Sequence, residues 1–164
     1  MQLCRAVGKL SELKVKIKEK PVSGFMGIGH IRWATHGGVT QENAHPHLAN
    51  SEVAIVHNGI IENYAELKKD LVEKGSVFIS DTDSEVLAHL FVHAFREGCV
   101  PVEALRFVLS KIEGAFAFAA ISKSNPETLM VARYASPLAI GFSDEMAIVG
   151  SDAAAMAHLT RQVI

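Results

Sequence analysis

Three polar stretches in this chain carry residue types that do chemistry: Gly29-His30-Ile31-Arg32-Trp33-Ala34-Thr35-His36-Gly37, Asn43-Ala44-His45-Pro46-His47, and His57-Asn58-Gly59-Ile60-Ile61-Glu62-Asn63. The Arg32 guanidinium can hold a carboxylate through two parallel charge-assisted hydrogen bonds, or it can serve as half of a surface ion pair. Asn58-Gly59 has two readings as well. Asn-Gly is the commonest short hairpin turn, and taken alone that reading is the stronger. An Asn amide next to a Gly N–H is also the donor pair that an oxyanion hole requires. Asp83, in Ser80-Asp81-Thr82-Asp83-Ser84, either caps the helix that follows or pairs with a substrate ammonium. Neither Cys4 nor Cys99 lies in these stretches, so the nucleophile of such a site is expected elsewhere.

His36, His45, His47 and His57 crowd the same region. His-x-His spacing on a strand puts both rings on one face, a known ligand arrangement, but Pro46 separates this pair in a loop and no carboxylate recurs at ligand spacing. A metal is therefore not expected. His89 and His93, four apart on a helix, share a face and read as packing or capping groups. Trp33, the single tryptophan, is equally a core anchor or a ligand-facing ring.

The elements that must position these residues follow from periodicity. Leu10, Leu13 and Ile17 among lysines predict a short amphipathic helix ended by Pro21. Phe25 to Trp33 reads as a strand, 34–51 as a long polar loop, and Val53 to His57 as a buried strand. Tyr64, Leu67, Leu71 and Val72 predict a helix with Asn63 as N-cap and Gly75 as stop. Val77 to Ile79 reads as a short strand. Helices follow on Val86, Leu87, Leu90 and Phe91, and from Pro101 through Ile112. Four β-segments complete the pattern, Ala115 to Ile121, Thr128 to Arg133, Leu138 to Phe142 and Met146 to Val149, with short connections that imply antiparallel pairing. Helices grouped beside antiparallel strands indicate a layered α+β domain.

Composition narrows the partners. The 164 residues fit one domain, and a formal charge of −2 gives no reason to expect nucleic acid or an anionic membrane. A small ligand is the remaining class. Two distant cysteines and the absence of a signal or membrane-spanning pattern favour a cytoplasmic setting. Nothing in the sequence calls for a cofactor.

Taken in order, HIRWATHG, ENAHPH, HNGIIENY, SDTDSEV, EGAFAF and ARYASPL resemble the glutaminase domain of the glutamine–fructose-6-phosphate aminotransferases, class II glutamine amidotransferases of the N-terminal-nucleophile fold. The resemblance implies a four-layer αββα architecture with antiparallel sheets, incomplete at its N-terminus. It implies that Arg32 binds the α-carboxylate of glutamine and Asp83 its α-ammonium. The loop from Trp33 to Gly38, with Thr35 and His36, would close over the substrate, and Asn58 and Gly59 would stabilise the tetrahedral oxyanion. The expected partners are glutamine, a sugar-phosphate isomerase domain and fructose 6-phosphate, with a homo-oligomer as a further possibility. The function implied is supply of glutamine amide nitrogen to fructose 6-phosphate.

One departure qualifies the match. Members of that family open on a cysteine whose own α-amine activates its thiol, whereas this chain opens Met1-Gln2, and Cys4 does not fall at the matching position. The expectation is one partial domain over residues 1–164, without the isomerase domain and inactive alone. A non-catalytic glutamine- or partner-binding module is the alternative. A metal-dependent hydrolase using the histidines ranks below it.

Overall fold

Helices cover one face of an antiparallel sheet whose central strand carries Asn58 and Gly59. The structure, a computed structural model, describes residues 1–32, 38–160 and 162–164. Its element order is α1 (Leu10–Glu19), β1 (His47–Ala49), β2 (Val53–Ile61), α2 (Tyr64–Glu73), α3 (Glu85–Arg96), α4 (Pro101–Leu109), β3 (Gly114–Ser122), β4 (Leu129–Tyr134), β5 (Ala139–Phe142) and β6 (Ala147–Gly150), then a 3₁₀ turn (Ala153–Met156) and β7 (Gln162–Val163). The larger sheet runs β1-β2-β3-β4 and the smaller β6-β5-β7, all pairs antiparallel. This is the α+β class expected from the sequence.

The core forms where α3 lies on the sheet. Ile55 and Ile61 on β2, Phe118 on β3 and Val86, Leu87 and Phe91 on α3 are all buried. Phe91 meets Phe118 edge-on, with centroids 6.0 Å apart, a favoured aromatic geometry. Each such side chain contributes roughly 1.5–3 kcal/mol of burial. On β2 the side chains of Ile55, His57 and Ile61 alternate onto the helix side, and His57 donates to or accepts from Ser84 across 2.8 Å. Among the described residues no helix is long and apolar enough to cross a membrane.

Several local expectations are corrected. Asn58-Gly59 is not a hairpin turn: β2 runs straight through it to Ile61, pairing Asn58 with Ala117 and Gly59 with Phe116. The nine-residue partner β3 extends the ladder past the point where local turn propensity would end it. In the described part of Phe25 to Trp33 no strand forms. Gly24, Gly27 and Gly29 weaken extended pairing there, and Phe25 is fully exposed. Val77 to Ile79 is irregular because the Ile79 and Ser80 N–H groups donate to the Glu85 carboxylate rather than to a strand. The loop read over 34–51 contains β1. Asn63 precedes α2 but does not cap it through its side chain. Its carboxamide bridges to the α4–β3 connection, donating to Lys111 O at 2.8 Å and accepting from Glu113 N–H at 3.0 Å.

Candidate functional site

The register of β2 determines what its backbone offers. The Glu62 N–H donates to Glu113 O and the Lys123 N–H to Glu52 O, so even-numbered residues of β2 bond towards β3. Their odd-numbered neighbours then face the opposite edge. On that edge Val53 and Ile55 pair with β1, and Ile61 N–H donates to Asp83 Oδ2 at 2.8 Å. The Gly59 N–H, two residues back, faces the same edge beyond the end of β1.

Gly59 holds this position at φ +126°, and a Cβ there would lie inside contact distance of the Ala115 carbonyl, whose carbon is at 2.9 Å. Only glycine satisfies both conditions. Asn58 projects from the sheet face away from α3 and is exposed. Its Oδ1 lies 2.7 Å from His30 Nε2. A carboxamide and a backbone N–H therefore stand next to each other at an open strand edge.

Arg32 donates to Gly38 O at 2.7 Å. Asn43 fastens the same corner from the other side, donating to Gly38 O at 3.1 Å and accepting from the Asp81 N–H at 2.9 Å. The loop of Arg32 is thus tied to the loop of Asp83. Asp83 is buried and does not cap α3, because it holds the end of β2 through Ile61 instead. A carboxylate has room for further donors on its lone pairs. Trp33, Thr35 and His36 lie outside the described residues.

The histidines form a stack. His30 and His45 rings lie 4.2 Å apart, and His45 and His47 4.5 Å apart edge-on. His47 Nε2 meets Thr82 Oγ1 at 3.0 Å. Burial lowers all four imidazoles of His30, His45, His47 and His57, the third to about 4, since a charged ring loses hydration there. Among the described residues no group of three or more His, Cys, Asp or Glu is arranged to hold a metal. Burial alone would raise the neighbouring Glu85 carboxyl, but His89, the Ser80 hydroxyl and the Ile79 and Ser80 N–H groups bring it down to about 2. Glu85 accepts from Ser80 Oγ at 2.6 Å, and Ser80 Oγ lies 2.9 Å from Thr82 Oγ1. This buried chain sets the turn that presents Asp83.

The sequence profile of the glutamine amidotransferase domain family matches residues 30–158. The chain belongs to that family. Glutamine–fructose-6-phosphate aminotransferases (isomerizing) resemble it over almost its whole length. The Rhizobium leguminosarum bv. viciae and Gluconobacter oxydans enzymes are each 50% identical over 159 residues, 97% of this chain and 26% of theirs. The chain therefore spans about a quarter of the length of these curated relatives. Among solved structures, the B. subtilis glutamine phosphoribosylpyrophosphate amidotransferase with ADP and GMP is similar at a TM-score of 0.62 and 33% identity. The allosteric regulatory enzyme of purine biosynthesis is similar at 0.64 and 35%. Each likeness covers 78% of this chain and 28% of the solved one.

Seen as an amidotransferase domain, the structure brings together Asn58 and Gly59 on one strand edge, Asp83 two residues further along it, and Arg32 on a loop tied to the same corner. Two residues in this corner were not singled out from the sequence, His30 and Asn43. His30 had a signal: in extended backbone it shares a face with Arg32, two positions on. Asn43 had none beyond its polar loop. Cys99 packs against the core at the turn after α3, as a structural thiol. Cys4 lines a cavity of about 640 Å³ between the N-terminal segment and the outer sheet face, together with His30, His45, Leu48, Ala54 and Ile121.

Proposed function

We propose that residues 1–164 are a single partial type-2 glutamine amidotransferase domain that holds glutamine for transfer of its amide nitrogen to fructose 6-phosphate, giving glucosamine 6-phosphate and glutamate. The observation that carries this reading is the donor pair at the β2 edge, Asn58 and the Gly59 N–H, in line with the carboxylate of Asp83. Two residues of strand, about 7 Å, separate the Gly59 N–H from the Ile61 N–H that Asp83 holds. An extended glutamine has that order of length. Its α-ammonium pairs with Asp83, its α-carboxylate with Arg32, and its amide carbonyl takes the two donors. Trp33, Thr35 and His36 are assigned to glutamine binding as part of the same proposal.

The donors favour the reaction because negative charge grows on the amide oxygen as the carbonyl carbon becomes tetrahedral. Each preorganised donor at that oxygen lowers the barrier by about 3 kcal/mol. The attacking thiol is assigned to neither Cys4 nor Cys99, so this chain by itself binds glutamine without releasing glutamate. The sugar-phosphate isomerase domain and fructose 6-phosphate belong to the whole enzyme, in a cytoplasmic setting.

Calorimetric titration of the chain tests the reading. Glutamine is expected to bind saturably and propionamide, which lacks the charged end, is not. Arg32→Ala removes a charge-assisted contact of about 1.5–3 kcal/mol and should weaken glutamine by about 10- to 100-fold. Equal heats for glutamine and propionamide would count against the proposal.

A further inference from the structure

We infer that His30 is a positioning residue for Asn58: its neutral Nε2–H tautomer takes the carboxamide oxygen and thereby turns the Asn58 NH₂ group towards the amide-binding edge. The inference rests on the reading of Asn58 as a donor to the glutamine amide and adds a requirement that reading does not contain.

The contact is short, 2.7 Å between His30 Nε2 and Asn58 Oδ1, and it can be made in two ways. With the proton on Nε2, the imidazole donates, Oδ1 accepts, and both amide hydrogens remain for other partners. With the proton on Nδ1, the ring is an acceptor at Nε2. The carboxamide must then present its NH₂ to histidine and its oxygen to the open edge. The second arrangement would set a carbonyl oxygen against the substrate's carbonyl oxygen, so the tautomer decides whether the site attracts or repels an oxyanion.

The surroundings select the first arrangement. His30 Nδ1 is buried and has no hydrogen-bond partner. A proton there would be an orphaned buried donor, which is rarer than an under-satisfied acceptor. A doubly protonated ring would share that orphaned donor and would also place a cation near Arg32 and against the His45 ring at 4.2 Å. Burial and Arg32 both oppose that charge, although the Asn58 contact and the His57 backbone favour it. Both nitrogens of His45 are without a hydrogen-bond partner, so the 4.2 Å ring contact with His30 includes no hydrogen bond to His30 Nδ1.

The test is nuclear magnetic resonance of the unliganded 164-residue chain. Long-range ¹H–¹⁵N correlation of labelled histidine is expected to show His30 as the Nε2–H tautomer. The Asn58 NH₂ pair is expected at shifts displaced from those of a solvent-exposed carboxamide. In His30→Phe the pair should move to the shifts of a free, solvent-exposed carboxamide, and in His30→Gln, whose amide can donate to the same oxygen, it should stay near its wild-type shifts. An Nδ1–H tautomer in the wild-type chain overturns the inference, and so does an Asn58 NH₂ pair that keeps its wild-type shifts in a folded His30→Phe chain. Should His30→Phe not fold, the wild-type tautomer still decides. Because no glutamine is present, failure here leaves the glutamine reading standing, and failure of glutamine to bind leaves this result standing.

Discussion

Gly59→Ala is expected to lower the folding stability of the chain by about 3 kcal/mol or more, and its melting temperature by about 10 °C. Gly59 lies at φ +126° in the middle of β2, with the Ala115 carbonyl where a side chain would begin. Neither side can yield easily, because β3 is held on its far edge by β4 through Ala117 to Ile121. Gly75→Ala is the internal control. Its φ is also positive, +87°, but open space surrounds the site, so only the backbone penalty of about 1–2 kcal/mol applies. Thermal melts of the two variants should separate clearly, and a Gly59→Ala chain that melts no lower than Gly75→Ala would refute the close-approach argument. Where Gly59→Ala still folds, the shifted N–H should also weaken glutamine binding.

Mild acid should unfold this protein early. His47 is held neutral down to about pH 4 against an ordinary value of 6.5, chiefly by burial. His45 and His57 are lowered in the same direction for the same reason, His57 despite the raising effect of Asp83. Unfolding frees each ring to protonate near its ordinary value. Between about pH 6.5 and 4 the unfolded chain therefore binds more protons than the folded one, and stability falls as pH falls. Each histidine adds a slope of up to about 1.4 kcal/mol per pH unit, so the group together removes several kcal/mol across that window. Glu85 extends the loss to lower pH: its carboxyl is lowered in the fold from an ordinary 4.5 to about 2, so its stabilising contribution is full above about pH 4.5 and is lost as pH falls from there towards 2. A scanning-calorimetry series from pH 7 to 4 should show a steadily falling melting temperature, and His47→Asn should flatten it. A melting temperature constant over this range would contradict the buried-neutral assignment.

The parts of this molecule that were legible in the sequence are those fixed by local period. The apolar faces of α2, α3 and α4 repeat every three or four residues, and β3 to β6 are bounded by turn signals, so both sets emerged directly. What was hidden depends on partners distant in the chain. Asn58-Gly59 has the local chemistry of a turn, yet β3 holds it extended. Asp83 sits where a helix cap belongs, yet it serves the end of β2 more than twenty residues earlier. Phe25 to Trp33 has strand composition, but strands need neighbours, and glycines interrupt it. For the site, residue types and order pointed to Arg32, Asp83, Asn58 and Gly59. The His30 contact and the Asn43 tie arise from loop packing, which no periodic pattern encodes.

The decisive quantity is where the glutamine amide lies. Backbone and side-chain ¹H–¹⁵N spectra of the labelled chain, recorded during glutamine titration, would place it. The predicted result is a saturable shift centred on the Gly59 N–H and the Asn58 carboxamide at the β2 edge, accompanied by Arg32, and absent with propionamide. Saturable shifts that leave Gly59 and Asn58 unmoved, or no shift in a chain shown to be folded, would contradict it.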